Sequence, residues 1–275
     1  MSHKVGWGPR VDGGSSKPAK SEKAEFKRGG KTKVDVKEAS DVVSLGQGRF
    51  LVVGDQSNKL AVVGADGKTT RVELGDVKNG KSGFEGVAYD ARNHKLYVSR
   101  EEQGKVLRYG WDPDAGQPPK LEKTIALELD GPKNKGIEGL AFLPGDVSPG
   151  GRPQLLAAKE GKPRELLLMG ADGSDKPKKV DLEAQVRSVC RDFSALAVDP
   201  KSGHVFISSD ESSTVAEIEL VQKNGTLEGR LVQSFPLRDK KDKPLDRVEG
   251  LTFDEKGNLH VLTENADELL ELERQ

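Results

Sequence analysis

The residues of this chain best suited to chemistry are carboxylates that recur at matched places. Phe84-Glu85-Gly86-Val87-Ala88, Ile137-Glu138-Gly139-Leu140-Ala141 and Val248-Glu249-Gly250-Leu251-Thr252 are copies of one phrase, and Phe193-Ser194-Ala195-Leu196-Ala197 is a weaker one. With a degenerate copy at Asp41, the first acidic position reads Asp41, Glu85, Glu138, Ser194 and Glu249. Each phrase leads through a turn to a second apolar run that ends in another acid, giving Asp55, Glu101, Glu160, Asp210 and Glu264. Nine of these ten positions are carboxylates. Like charges crowded together raise one another's pKa and cost stability unless something neutralises them. A bound cation is one solution. Oxygen donors from Asp, Glu and Ser suit Ca²⁺, which takes about six to eight oxygens in flexible geometry, better than Zn²⁺, which favours His and Cys. The inner acids Asp41, Glu85, Glu138 and Glu249, with Ser194 as the odd member, are the expected ligands, partly through water. The second set is expected to form an outer ring.

Ion pairing is the alternative solution. The segments before the repeated phrases carry Lys78, Lys81, Lys133, Lys135, Arg187, Arg191, Lys240, Lys241, Lys243 and Arg247, while Arg100 and Lys159 adjoin the outer acids. These cations could neutralise the carboxylates and lock the repeats together without any metal.

The elements that must position these groups follow from the period. Glu85, Glu138, Ser194 and Glu249 are separated by 53, 56 and 55 residues, and Asp41 precedes Glu85 by 44. Such periods, with alternating apolar residues and no helical pattern inside them, indicate propeller blades of four short antiparallel strands. In the second copy, strand A is read as 85–90, strand B as 95–99, strand C as 105–109 and strand D as near 124–127, with Ala91-Arg92-Asn93-His94 as the first turn. Asp66-Gly67, Asp172-Gly173 and Asn224-Gly225 suit tight turns between strands C and D. Five copies imply an all-β, five-bladed propeller. Its last blade lacks an outer strand, because the chain ends after 268–273, and residues 31–36 are expected to supply it and close the ring. Strand A is innermost in a propeller, so the first set of acids should surround one mouth of the central channel.

Composition fits this architecture. The chain has 275 residues, 34% of them hydrophobic, 32% charged and 32 glycines, as expected of short strands, many turns and a large solvated surface. Residues 1–28 read as a polar tail that carries Trp7 as an exposed apolar side chain, and 29–275 as a single propeller domain. A net charge of −1 gives no general attraction to nucleic acid or anionic membranes. No apolar leader follows Met1 and no run approaches a membrane span, so a cytoplasmic monomer is expected from the sequence as written, or a periplasmic or secreted one had a signal peptide been removed. Cys190 stands alone and reads as a packing residue.

Conventional catalytic groupings are weak. His94 and His204 fall near A to B turns at the opposite face, His260 takes the strand position of Tyr97 and Phe206, and His3 lies in the tail. No Ser, His and acid set converges. Asp112 and Asp114 sit in a turn where Asx capping is the simpler account.

The run from Ser194 to Ser212, together with Glu249-Gly250-Leu251-Thr252-Phe253-Asp254, Gly257-Asn258-Leu259 and Thr263-Glu264-Asn265, resembles the last two repeats of SdiA-regulated proteins. The resemblance spans about residues 35–275 and shades into NHL-like propeller repeats. It implies a five-bladed propeller with a calcium site and no established reaction. Three functions are compatible with the residues. The first is a calcium-binding propeller presenting a small-molecule or protein ligand surface at the acidic mouth. The second is a calcium-dependent hydrolase of esters, lactones or phosphoesters, with an outer acid such as Glu101 or Asp210 as base. The third is a metal-free interaction scaffold.

Overall fold

Strand register builds five sheets, and the sheets pack into a ring. In the computed structural model, residues 23–77, 82–100, 104–127, 129, 136–263 and 268–275 are described. Blade 1 comprises Ala39–Gly46, Arg49–Gly54, Lys59–Val63 and Thr69–Glu73, and blade 2 comprises Phe84–Asp90, Lys95–Arg100, Lys105–Gly110 and Lys120–Ala126. Blade 3 follows with Ile137–Leu143, Gln154–Lys159, Glu165–Gly170 and the short Lys178–Lys179. Ala195–Val198, Val205–Ser209, Thr214–Lys223 and Thr226–Pro236 make blade 4, while Val248–Phe253, Leu259–Thr263 and Glu268–Arg274 make the first three strands of blade 5.

Stacking between neighbouring blades buries both faces of the strands near the axis. In Phe84–Asp90 and Leu259–Thr263 nearly every side chain is buried, because blades stack on both sides of each inner strand. Among the described residues five apolar clusters result, each joining neighbouring blades. Leu51, Leu60 and Val53 of blade 1 meet Leu96, Val98 and Tyr109 of blade 2, and Leu262 and Leu269 of blade 5 meet Val42, Phe50 and Val52 of blade 1. A fully buried Leu or Phe contributes about 1.5–3 kcal/mol relative to exposure, so each interface is a substantial term. In blade 4 the Asn224-Gly225 turn has φ of 49° and 83° between paired Lys223 and Thr226, as a two-residue hairpin of this twist requires.

The ring closes through its termini, but not with the expected residues. Phe26–Lys33, rather than 31–36, pairs antiparallel with Glu268–Arg274, from Phe26 opposite Arg274 to Lys33 opposite Glu268. The strand therefore takes up residues whose Gly and Lys content reads as tail. Its anchor is Phe26, which packs edge-on against Phe206 with ring centres 6.0 Å apart and lies beneath the Arg274 guanidinium at 5.6 Å.

Blade 4 departs from the repeat in a second way. Between blades 3 and 4 the chain forms a helix, Ala184–Val189, which the sequence reading did not anticipate. Six residues are too few to show helical periodicity, and the segment is held by burial of Val186 and the adjacent Cys190 in the core between the two blades. Asp181–Leu182 just before it adds a short parallel strand to Thr226–Pro236. Among the described residues no helix is long and apolar enough to cross a membrane.

Candidate functional site

The repeated glutamates occupy one distinctive place in the ladder. Strand register shifts between Phe84 and Val87, between Ile137 and Gly139, and between Val248 and Gly250, so Glu85, Glu138 and Glu249 all fall in a β-bulge at the start of the innermost strand. A bulge leaves its extra residue out of the ladder and turns the side chain away from the regular alternation. All three glutamates are half-buried. Ser194 falls at the same place in blade 4, its amide bonded to Ser208 O at 3.1 Å just before the paired Ala195.

The glycine after each glutamate is required by close approach of neighbouring blades. A Cβ on Gly86 would lie 2.9 Å from Leu140 N, one on Gly139 would lie 2.9 Å from Ala195 Cα and Leu196 N, and one on Gly250 would lie 3.0 Å from Val42 N. The innermost strands thus meet backbone to backbone around the axis.

Asp41 stands in a different place from its expected one. Ala39 pairs with Gly54 and Asp41 with Val53 across a bulge, which aligns Ser40 with the glutamates and Asp41 with the glycines. With a side chain where the other blades have none, Asp41 fills the axis and is fully buried. Its Oδ1 accepts the N–H of Val42 and its Oδ2 that of Val87, each at 2.8 Å, and the amides of Leu140 and Leu251 also face it. Burial pushes its carboxyl well above the usual range, against the pull of these amides. A carboxyl whose oxygens meet main-chain N–H groups from several blades acts as a structural plug and stands apart from the three glutamates.

The remaining predicted residues divide between mouth and scaffold. Ser194 is buried, donates from Oγ to Asp192 Oδ2 at 3.3 Å and accepts the Asp210 N–H at 3.0 Å. In the outer set, Asp210 Oδ1 accepts the Val248 N–H at 3.0 Å and so latches blade 4 to blade 5. Asp55 holds blade 1 to the start of blade 2 through its main-chain oxygen, which accepts the Ser82 N–H at 2.8 Å, and Glu160 N donates to Gly136 O at 3.2 Å. Glu101 and Glu264 lie outside the described residues, as do Lys78, Lys81, Lys133, Lys135, His3 and Trp7.

Two of the cations expected beside the acids are engaged with carbonyls. Lys159, fully buried, donates from Nζ to Pro163 O at 3.0 Å and Glu160 O at 3.3 Å, and Arg100 Nε donates to Ser82 O at 3.0 Å.

Sequence reasoning missed Asp192. Buried at the blade 4 mouth, it accepts from the Ser194 and Ser209 hydroxyls and from the Glu211 N–H. It thereby supplies a carboxylate in the blade whose repeat position is Ser, two residues away from the register that the repeat would have searched.

At the opposite face a second set of acids recurs, also missed. Asp90, Asp199 and Asp254 end or follow strand A and accept turn amides, including Arg92 N at 3.0 Å, Lys201 N at 3.0 Å and Lys256 N at 2.9 Å. Between this face and Asp41 lies an apolar cavity of about 260 Å³ lined by the inner strands, including Val43, Ala88, Phe142, Ala197 and Thr252. The expected turn at Asp112 is present, since Asp112 Oδ1 accepts the Asp114 N–H at 2.9 Å, and Asp114 also pairs with Arg49 at 2.6 Å.

Comparison with known proteins agrees with this architecture. A family profile described as SdiA-regulated matches residues 31–117 and 112–266. The chain superposes on the PQQ-bound aldose sugar dehydrogenase of Streptomyces coelicolor with a TM-score of 0.55 and 16% identity, covering 94% of this chain and 100% of that one. It also superposes on a candidate gluconolactonase (0.52, 17%, 90% and 81%) and on the virginiamycin B lyase of Staphylococcus aureus (0.46, 12%, 85% and 65%). The chain thus spans less than two thirds of that lyase. The likeness to the dehydrogenase and the gluconolactonase, at 16% and 17% identity, shows the shared propeller fold alone.

Proposed function

Starting from a chain that belongs to the SdiA-regulated family, we propose that its acidic mouth binds Ca²⁺ and presents a small-molecule or protein ligand surface there. The observation that carries this reading is the repeated bulge, which sets Glu85, Glu138 and Glu249 at one end of the channel on three different blades. Three half-buried carboxylates form an all-oxygen donor set, the chemistry that Ca²⁺ selects. Water would fill the coordination positions that the protein oxygens leave, since Ca²⁺ takes about six to eight oxygen ligands. Asp192 and Ser194 add buried oxygens on blade 4.

Beneath the mouth, Asp41 blocks the axis, so a ligand would be held at the entrance rather than pass through. A bound Ca²⁺ would offer a ligand's carbonyl, carboxylate or phosphoryl oxygen a positive partner, while the glutamates fix the ion. In the described residues His94, His204 and His260 belong to the opposite half of the blades, and the Asp210 carboxylate serves as a latch, which favours binding over acid and base catalysis.

Thermal melts with Ca²⁺ or EDTA test the reading. A Ca²⁺-dependent rise in melting temperature that disappears in Glu85→Gln/Glu138→Gln supports it, and identical melts refute it. A panel of esters, lactones and phosphoesters, with and without Ca²⁺, then separates binding from turnover.

A further inference from the structure

We infer that blade 5 carries a second metal site, at Asp254, His260 and Glu271, suited to a divalent first-row transition ion such as Zn²⁺. Among the described residues this is the group of three His and carboxylate side chains whose ligand atoms all lie within 4.8 Å of one another. Asp254 and His260 are buried and Glu271 is half-buried. His260 Nε2 lies 3.2 Å from Asp254 Oδ2. Ligands bound tetrahedrally at about 2.0–2.1 Å lie about 3.3–3.4 Å apart, so this separation already matches one edge of a Zn²⁺ coordination shell.

The surroundings orient the three groups. Asn258 Nδ2 donates to Asp254 Oδ2 at 3.0 Å and to Glu271 Oε1 at 3.2 Å, so one amide group holds the two carboxylates together. Asp254 Oδ1 takes the amides of Lys256 and Asn258, which leaves Oδ2 as the oxygen facing the imidazole. The Phe50 ring, centred 4.6 Å from that of His260, holds the imidazole from the neighbouring blade.

Blade 4 shows what the same positions look like when they serve structure only. Glu217 lies opposite Phe206 in the ladder as Glu271 lies opposite His260, and Asp199 follows strand A as Asp254 does. There the acids have separate cations, since Glu217 meets His204 Nδ1 at 2.6 Å and Asp199 meets Arg274 at 2.6 Å. In blade 5 an aromatic position has become His260, and both acids converge on that imidazole. Two carboxylates and one imidazole favour a divalent ion, because even a protonated imidazole leaves the trio net negative. Mixed nitrogen and carboxylate donors suit Zn²⁺ or Mn²⁺ more than Ca²⁺.

The site would also staple the ring. Its ligands come from strands B and C of blade 5 and the turn after strand A, and Glu271 Oε2 already accepts the Gly30 N–H of the closing strand at 3.3 Å.

Calorimetric titration of the EDTA-stripped, desalted full chain with Zn²⁺, in buffer holding Ca²⁺ at saturating concentration, tests the inference. The wild type and Glu85→Gln/Glu138→Gln should show the same saturable Zn²⁺ site, with a melting temperature raised by roughly 5 °C at about a hundredfold excess over Kd. Affinity should fall at least tenfold in His260→Gln and in Glu271→Gln, whose folding is checked by urea melts without metal. Should His260→Gln fail to fold, the half-buried Glu271→Gln decides the matter. Absence of saturable binding by the wild type, or equal affinity in every folded variant, overturns the site. Failure of the Ca²⁺ mouth leaves this test unaffected, because its ligands are different residues.

Discussion

Asp41 Oδ2 accepts the main-chain N–H of Val87 at 2.8 Å, across the gap between the innermost strands of blades 1 and 2. The same carboxyl takes the amide of Val42 and faces those of Leu140 and Leu251, so one side chain ties four blades together at the axis. Asp41→Ala would leave buried donors unpaired and should lower stability by about 2–4 kcal/mol in urea unfolding. Wild-type stability in this variant would show that the axial bonds carry little.

A pH dependence follows from the same residue. Its folded pKa is raised above 3.8, so its favourable contribution is complete below the unfolded value and is lost as pH rises through the folded one. Urea midpoints measured across a pH series should therefore fall with rising pH more steeply in the wild type than in Asp41→Asn. Parallel profiles would contradict the assignment.

His204 gives a second titration, at the opposite face. The hydrogen bond to buried Glu217 raises its pKa above 6.5 against the opposing effect of burial. Stability from this pair is present below 6.5 and lost as pH rises through the folded pKa. NMR titration should place the His204 midpoint above 6.5, and Glu217→Gln should bring it down.

Close packing of the inner strands is tested at Gly139. Its missing side chain leaves room for Ala195 and Leu196, and a Cβ would sit 2.9 Å from both backbones. Gly139→Ala should destabilise by about 1–3 kcal/mol, read from the shift in urea midpoint. Ser99→Ala should act at the same seam, because Ser99 Oγ takes the Gly86 N–H at 2.6 Å and donates to Ile137 O of the next blade.

The blades were legible in the sequence because the period, the Asp-Gly and Asn-Gly turns and the apolar alternation all report on local backbone geometry. Ring closure was legible in kind, since a three-stranded last blade demands a partner. The choice of Phe26–Lys33 was not, because it depends on Phe26 meeting Phe206 and Arg274, contacts more than a hundred residues away in the chain. A one-residue shift in the bulge of blade 1 moved the Asp41 carboxylate from the mouth to the axis, where a strand changes which face each side chain serves. Asp192 escaped because it lies off the repeating position, and the trio on blade 5 because its positions repeat while only this blade puts an imidazole between the two acids. They become visible only when strands from different parts of the chain are brought side by side.

The central claim is that Glu85, Glu138 and Glu249 form a cation site. Calorimetric titration of EDTA-stripped protein with Ca²⁺ tests it most directly, run beside Glu138→Gln and the matched Asp41→Asn. The account predicts saturable binding in the wild type, an affinity at least tenfold weaker in Glu138→Gln and an unchanged one in folded Asp41→Asn. No saturable heat in the wild type, or equal affinity in Glu138→Gln, would contradict it and leave the mouth as an ion-paired scaffold.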